Sequence, residues 1–533
     1  MYTGISQVIR ALPAFALSVF LAALCFTVNV SAKENTPLSE QRNQQLKNLV
    51  QQSTIPQLIQ AMKEKQLTAT ELTQFFIQQI DELNPQLNAV VAMNPDAISI
   101  AMQLDEALSH GKLRGPLHGI PILVKDNIET ETMPTTAGSL ALKDNFTHRD
   151  APIIAKLKRA GAIILGKTNL SEWANMRSER SSSGWSAIGG QTRNPHDLNR
   201  STCGSSSGSG AAVAAFLSVA AIGTETNGSI TCPSSANGIV GIKPTVGLLS
   251  RHGIVPISHT QDTAGPMTRS VIDAAILLSV MQGFDEKDPA TNIAKGHLNY
   301  DYTPEQSAIS LKGKRLGVLY AAPLAHEQVE SLFNQTKQML EQEGALLVEG
   351  LSTEPYDHFY QDSYDVLLYE FKATLNDYLA QLPNEYKSLT LEKLIQFNQA
   401  HATKEMPYFQ QEIFEKSQQK ATLTDEKYLT ALQKVHQATR ADGLDRMLKE
   451  HNLDAIITVT LTPAWSIDRI NGDHFTGSFS TYPAVSGYPH LTLPMGKVHH
   501  MPVGLSITGG ALSEKELIAI AHRLEQLIGY KYN

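Results

Sequence analysis

Two glycine-rich, serine-bearing loops separated by a short apolar segment are the part of this 533-residue chain best suited to chemistry on a carbonyl. The first, Gly204-Ser205-Ser206-Ser207-Gly208-Ser209-Gly210, has almost no side-chain bulk, so its backbone can turn tightly and bring hydroxyls and N–H groups close to a bound group. The second, Thr224-Glu225-Thr226-Asn227-Gly228-Ser229, sets backbone donors beside a hydroxyl. That arrangement stabilises the oxyanion formed when the hydroxyl attacks, which makes Ser229 a candidate nucleophile and the N–H groups of Thr226, Asn227, Gly228 and Ser229 a candidate oxyanion hole. A flexible linker would share this composition. It would not be interrupted by the small apolar run Ala211 to Ile222 or followed by Gly238-Ile239-Val240-Gly241-Ile242-Lys243-Pro244.

The whole stretch from Cys203 to Thr245 resembles the signature of the amidase signature family: a GGSSGG-type loop, a small-residue helix and a GTDTGGS-type turn. The family's two key serines are 24 residues apart, a spacing met by Ser205 and Ser229. Upstream, Gly115-Pro116-Leu117-His118-Gly119-Ile120-Pro121-Ile122-Leu123-Val124-Lys125-Asp126-Asn127 resembles the family's lysine motif and supplies Lys125. The resemblance implies that Ser229 attacks an amide carbonyl, that Ser205, on a cis peptide, passes the proton, and that neutral Lys125 is the final base. It also implies a single-domain α/β fold, a central mixed sheet covered by helices on both sides. Within the family the chain is most similar to bacterial peptide amidases, through Ile188 to Pro195, Gly247 to Arg251, Gln261 to Met267, Leu368 to Lys372 and Phe397 to His401. Those enzymes release the C-terminal amide of peptides as ammonia; the alternative is an amidase of small aliphatic or aryl amides.

Physical chemistry sets a condition on this reading. A free lysine, with a pKa of about 10.4, is charged at neutral pH, and only burial, which can lower it by roughly 3–5 units, would make Lys125 a base. The apolar run Ile120 to Val124 supplies burial; an ion pair with Asp126 would instead make Lys125 structural. Four positions depart from the usual family pattern: Asn227, Cys203 and Ser207 replace glycines, and Thr231 stands where arginine is common.

Other chemistries have weaker signals. Gly204-Ser205-Ser206-Ser207-Gly208 also fits G-x-S-x-G with Ser206 as nucleophile, but the elbow needs a strand before it and Asn194 to Arg200 is loop-like. Ser417-Gln418-Gln419-Lys420 matches S-x-x-K without its companion motifs. His499-His500 and His326-Glu327 have no metal-ligand spacing, so neither a metal nor another cofactor is expected. A protein that only binds an amide or peptide would be expected to lose a reacting residue, and none is lost.

The elements that must hold these residues follow from periodicity. Pro56 to Lys65 and Thr68 to Leu83 read as helices, the second with a Thr68/Glu71 capping box and a stop at Asn84-Pro85. Ile120 to Val124, Ala162 to Gly166, Arg315 to Tyr320, Ala345 to Glu349, Asp454 to Thr460, His490 to Pro494 and Val503 to Thr508 read as strands, with helices between them and at Glu514 to Ile528. The loops from Trp173 to Asn194 and the charged helical segment Tyr364 to Asn452 are expected to wall a substrate channel, with packing the commoner fate of Trp173 and Trp185. A net charge of −8 excludes a nucleic-acid partner; the expected partner is a small-molecule or peptide amide. Arg10, the apolar run Ala11 to Val28 and Val30-Ser31-Ala32 read as a signal peptide over residues 1–32, leaving one catalytic domain at 33–533, exported to the periplasm or secreted and without stable membrane insertion after processing. A retained anchor is the alternative for that segment. Cys203 and Cys232 would remain in the mature chain, paired or free, and the sequence leaves the oligomeric state open, a monomer being compatible with it.

Overall fold

Short runs rich in Val, Ile and Leu form a mixed eleven-stranded sheet, and the strands that end at the candidate site lie inside it. The computed structural model describes residues 38–297, 299–304, 310–383 and 385–532; the expected signal segment, 1–32, lies outside them. The strands are β1 (Val90–Met93), β2 (Pro121–Lys125), β3 (Ile163–Thr168), the small hairpin β4 (Trp185–Ser186) and β5 (Gly190–Gln191), β6 (Ala220–Glu225), β7 (Val240–Lys243), β8 (Thr263–Thr268), β9 (Arg315–Leu319), β10 (Leu346–Leu351), β11 (Ala455–Val459), β12 (His490–Val498) and β13 (Met501–Thr508). The large sheet runs β1-β3-β2-β6-β8-β7-β12-β13-β11-β9-β10. Strand β2 pairs in parallel with both β3 and β6, with Val124 opposite Lys167 on one side and Ile222 on the other. Helices cover both faces, the α/β architecture expected from the alternating pattern.

Several boundaries differ from the sequence reading, three of them near the site. The capping box of Thr68 and Glu71 is formed, but the helix runs from Ala69 to Leu87, straight through Pro85. The proline lies in the last turn, where it removes a single helix bond, to Asp81 O, and Asn84 fixes the chain beyond it by accepting from the N–H groups of Ala89 and Val90, 2.8 Å each. The small-residue helix starts at Ser207 rather than Ala211, so part of the serine loop is helical, and β6 continues past Gly223 to Glu225. Serine is a tolerable helix residue once its hydroxyl has a partner, and Ser207 Oγ donates to Cys203 O at 2.7 Å. His499 and His500 form the two-residue turn between β12 and β13, with His499 in the left-handed region that such hairpins need.

The charged segment is a layer of helices, chiefly Phe359–Leu379, Leu391–Ala400, Glu412–Gln418 and Glu426–Thr439. Leu368, Phe371, Leu375, Leu394 and Phe414 form an apolar cluster there with Trp173, separate from the core under the sheet. Both tryptophans of the bordering loops are packed, Trp173 against Phe414 and Trp185 against Phe409. A buried polar group completes the join. The Arg177 guanidinium lies 2.8 Å from Glu172 and over the Phe409 ring, while Glu405 of the helical layer accepts from Leu140 N and Ser139 Oγ at 2.7 and 3.1 Å.

Beside Lys125, Asp126 points to the opposite side of the chain and pairs with Lys167, 3.3 Å away and equally buried. The three ammonium protons of Lys167 go to Ile128 O, Pro134 O and Thr135 Oγ1 at 2.7 to 3.0 Å, and Asp126 balances its charge. Removing one member of such a pair strands a buried charge. We expect Lys167→Met to lower the free energy of unfolding by roughly 3–5 kcal/mol, read from the urea midpoint; a change under about 1 kcal/mol would mean that Asp126 is neutral and needs no partner.

Candidate active site

The end of β2 delivers Lys125 into the interior, where its side chain is fully buried. The ammonium nitrogen is 2.7 Å from Ser205 Oγ and 2.8 Å from Thr224 Oγ1, with Thr224 O at 3.4 Å. Among the described residues no carboxylate pairs with it, because Asp126 is committed to Lys167. Burial therefore lowers its pKa to about 7, only partly opposed by the more distant charges of Asp262 and Glu225. The Gly204–Ser205 peptide bond is cis, as the family resemblance implied.

Ser229 closes the turn that follows β6. Gly228 has φ +81°, a left-handed conformation, and a Cβ there would also press on Ser480 Oγ at 3.2 Å. The turn is drawn together by Glu225, a buried carboxylate whose Oε2 accepts from Ile230 N at 2.8 Å, Thr231 N at 2.9 Å and Thr231 Oγ1 at 3.2 Å. Thr226 Oγ1 donates to Asp262 Oδ1 at 2.6 Å, fixing the other side. Among the described residues none accepts from the N–H groups of Asn227, Gly228 and Ser229. They are free to meet an anionic oxygen. The serine loop and this turn touch directly where Ser206 N donates to Ser229 O at 3.1 Å.

Each of the four departures from the family pattern is tied into this frame. Cys203 is bonded to Cys232. Ser207 bonds Cys203 O, Thr231 bonds Glu225, and Asn227 accepts from Ser480 Oγ at 2.7 Å. Sequence reasoning missed Thr224, Glu225, Asn127 and Asp262, although all four lie within the quoted motifs. Asn127 supports Thr224 by donating to its Oγ1 at 3.0 Å.

The rival constellations are not assembled. Ser206 is completely buried, and its hydroxyl is engaged with Thr224, donating to O at 3.0 Å and accepting from N at 3.2 Å. Ser417 is buried in the helical layer, while Lys420 turns away to Asp365 at 2.7 Å. A cavity of about 200 Å³ adjoins the turn after β6, lined by Asn127, Thr224, Thr226 and Ile257 on the sheet side and by Thr374 and Tyr378 of the helix Phe359–Leu379. The helical layer thus forms one wall of it.

A buried lysine on a serine, a second serine on a turn of free N–H groups and the eleven-stranded sheet behind them define an amide hydrolase. The chain belongs to the amidase signature family: the family model described as Amidase matches residues 71–518. Its structure is similar to the peptide amidase from Stenotrophomonas maltophilia, with a TM-score of 0.86 and 45% identity over 90% of this chain and 98% of that one. A peptide amidase in complex with the competitive inhibitor chymostatin matches equally well, at a TM-score of 0.87. A probable amidase of Arabidopsis thaliana is 38% identical over 487 residues, 90% of each chain.

A lysine that titrates near 7 can take up a proton only when deprotonated. We expect kcat/KM for amide hydrolysis to rise about tenfold per pH unit below about pH 7 and to level off above it. Lys125→Met should lose the rate by orders of magnitude together with that limb, measured on a pH series. An unchanged limb in the variant would assign the titration to another group.

Proposed function

We propose that this enzyme hydrolyses a carboxamide to the acid and ammonia through an acyl-enzyme, with Ser229 as nucleophile, Ser205 as proton relay and Lys125 as base. The observation that carries the reading is the 2.7 Å contact between Ser205 Oγ and a buried Lys125 whose pKa is lowered to about 7. Ser229 Oγ attacks the carbonyl carbon, its proton passes to Ser205, and the Ser205 proton passes to Lys125. The oxyanion is held by the N–H groups of the turn Thr226–Ser229. Collapse breaks the C–N bond, and the same relay in reverse protonates the departing nitrogen to give ammonia and a Ser229 ester. Water then attacks the ester, the relay takes its proton, and Ser229 leaves with the acid released.

The proposed substrate class is the C-terminal amide of a peptide, supported by the 45% identity to the Stenotrophomonas maltophilia peptide amidase over nearly all of that chain. A free carboxamide differs from an internal peptide bond in its unsubstituted nitrogen, so a site closed on that side accepts NH₂ and rejects a following residue. A second reading, small aliphatic or aryl amides, is favoured by the cavity beside Thr224, whose volume of about 200 Å³ suits a small acyl group. The proposed location is outside the cytoplasm, with residues 1–32 as the export signal and one catalytic domain at 33–533. The Cys203–Cys232 bond supports it, since such bonds persist in oxidising compartments.

Two experiments test these assignments. Ser229→Ala should lose essentially all turnover with an unaltered circular dichroism spectrum, and a fluorophosphonate probe should modify Ser229 in the parent enzyme; modification of Ser206 instead would install the rival elbow. Ammonia release should be compared between a peptide amide, its free acid, a longer peptide and a small aryl amide. Release from the peptide amide with internal bonds uncut is the expected result, whereas a kcat/KM at least tenfold higher for the aryl amide would establish the second reading.

A further inference from the structure

The disulfide between Cys203 and Cys232 stands two residues before Ser205 and three after Ser229. It therefore spans the two chain segments whose relative placement decides whether a proton can pass between their hydroxyls. We infer that this bond is a positioning device for the reaction, which holds the relay serine in register with the nucleophile; the inference rests on the roles proposed for Ser205 and Ser229.

Three observations carry it. First, apart from this bond the loop is held by hydrogen bonds alone: Gly204 to Gly210 consists of serine and glycine, which bring almost no apolar surface to anchor a backbone, and its ties to the neighbouring loop are polar, such as Ser171 N to Ser205 O at 3.1 Å and Gly208 N to Asn169 O at 3.0 Å. Close to the reacting hydroxyls the two segments are joined by the hydrogen bond from Ser206 N to Ser229 O and by the two bonds of the Ser206 hydroxyl with Thr224, and a further tie, from Asn237 Nδ2 to Thr202 O at 3.0 Å, lies two turns of helix further on. Second, the bond is seated. Cys203 and Cys232 are 5% and 4% exposed and pack with Leu461, Ala464, Trp465 and Met501, so both sulfurs are fixed to a third part of the chain. Trp465 is itself oriented by Asp473, which accepts from its indole N–H at 3.0 Å and from Ser183 N at 3.1 Å. Third, Cys203 occupies a left-handed conformation, φ 54°, at a position where the related pattern carries glycine. Glycine adopts that conformation without cost; a cysteine there is disfavoured unless its side chain contributes something, and here it contributes the bond.

A hydroxyl displaced by about 1 Å from its working position can cost up to about 100-fold in rate, because proton transfer depends steeply on distance. Apart from Thr224 to Thr226, the walls of the cavity are built from elements outside the two bridged segments, so substrate affinity should change less than turnover. The test is the double variant Cys203→Ala/Cys232→Ala of the full chain, with active enzyme counted by fluorophosphonate labelling at Ser229. We expect kcat per labelled serine to fall about tenfold or more, KM to stay within about twofold, and the rate constant of labelling to fall in parallel. A variant with a lower Tm but kcat per labelled serine within about twofold of the parent would reduce the bond to a structural staple and overturn the inference. Should the double variant not fold, the parent enzyme is reduced with a phosphine, which takes oxygen from water as the S–S bond gains two electrons and two protons, and the thiols are counted after the assay. Turnover lost on reduction and regained on reoxidation supports the inference; full turnover with both thiols free overturns it. Labelling at a serine other than Ser229 would refute the proposed mechanism itself, an outcome separate from either of these.

Discussion

An ammonium group without a carboxylate partner is the constraint on which this structure turns. Taking a lysine out of water costs so much that, unpaired, it releases its proton, and Lys125 is brought to about 7 in this way. Relative to the ordinary value of 10.5 this represents on the order of 5 kcal/mol at neutral charge balance. Such a penalty can be sustained only where the backbone cannot give way, and Lys125 ends a strand that is hydrogen-bonded on both sides in the interior of an eleven-stranded sheet. Hydroxyls are the right neighbours for it. Ser205 and Thr224 can donate to a neutral amine or accept from a charged one, so neither protonation state is left unsatisfied.

The selectivity of this arrangement is clearer against two other lysines. Lys167 and Lys243 are as deeply buried and stand at the same ends of β3 and β7. Lys167 has Asp126 and three further acceptors. Lys243 keeps a pKa of about 8, since burial lowers it while the charges of Glu225 and Glu514 act the other way. Glu225 also gathers the N–H groups that end the nucleophile turn, so one carboxylate serves the geometry of the turn and the electrostatics beneath it. Acidic groups are thus plentiful around the site, yet their oxygens are directed at Lys167, at Thr226 and Thr231 and at backbone donors, and Lys125 is left to the hydroxyls.

How much of this could be read from the chain depends on the range of the interaction. The spacing of Ser205 and Ser229 and the apolar run before Lys125 are local patterns, and they pointed to residues that the fold does bring to one place. Strands β2 and β3 were legible for the same reason, as short β-branched runs, whereas β8, the antiparallel neighbour of β6, has the sequence Thr-Ala-Gly-Pro-Met-Thr and shows no such run. What escaped was set by distant partners. Asp126 adjoins Lys125 in sequence but alternates to the other side of the chain, where Lys167 of a neighbouring strand meets it. Thr224 became important only through the pairing of β6 with β2. Pro85 was taken to end a helix because its own chemistry forbids continuation, whereas Asn84 and the burial of Leu87 carry the last turn. Whether Cys203 met Cys232 depended on how the two loops pack, which the chain does not state.

The helical layer invites a longer view. Its apolar cluster of Leu368, Phe371, Leu375 and Phe414 is distinct from the one beneath the sheet, and it is fastened through the buried group around Arg177 and Glu405. Random change in a lineage therefore meets two different tolerances within one polypeptide. A substitution beneath β2 or β6 disturbs the buried contacts of Lys125 with Ser205 and Thr224, which have one fitting geometry, and is eliminated. A substitution on the cavity side of the Phe359–Leu379 helix alters only the shape of what can enter, and can persist. Descendants of such a chain would come to differ in what they consume long before they differ in how they consume it.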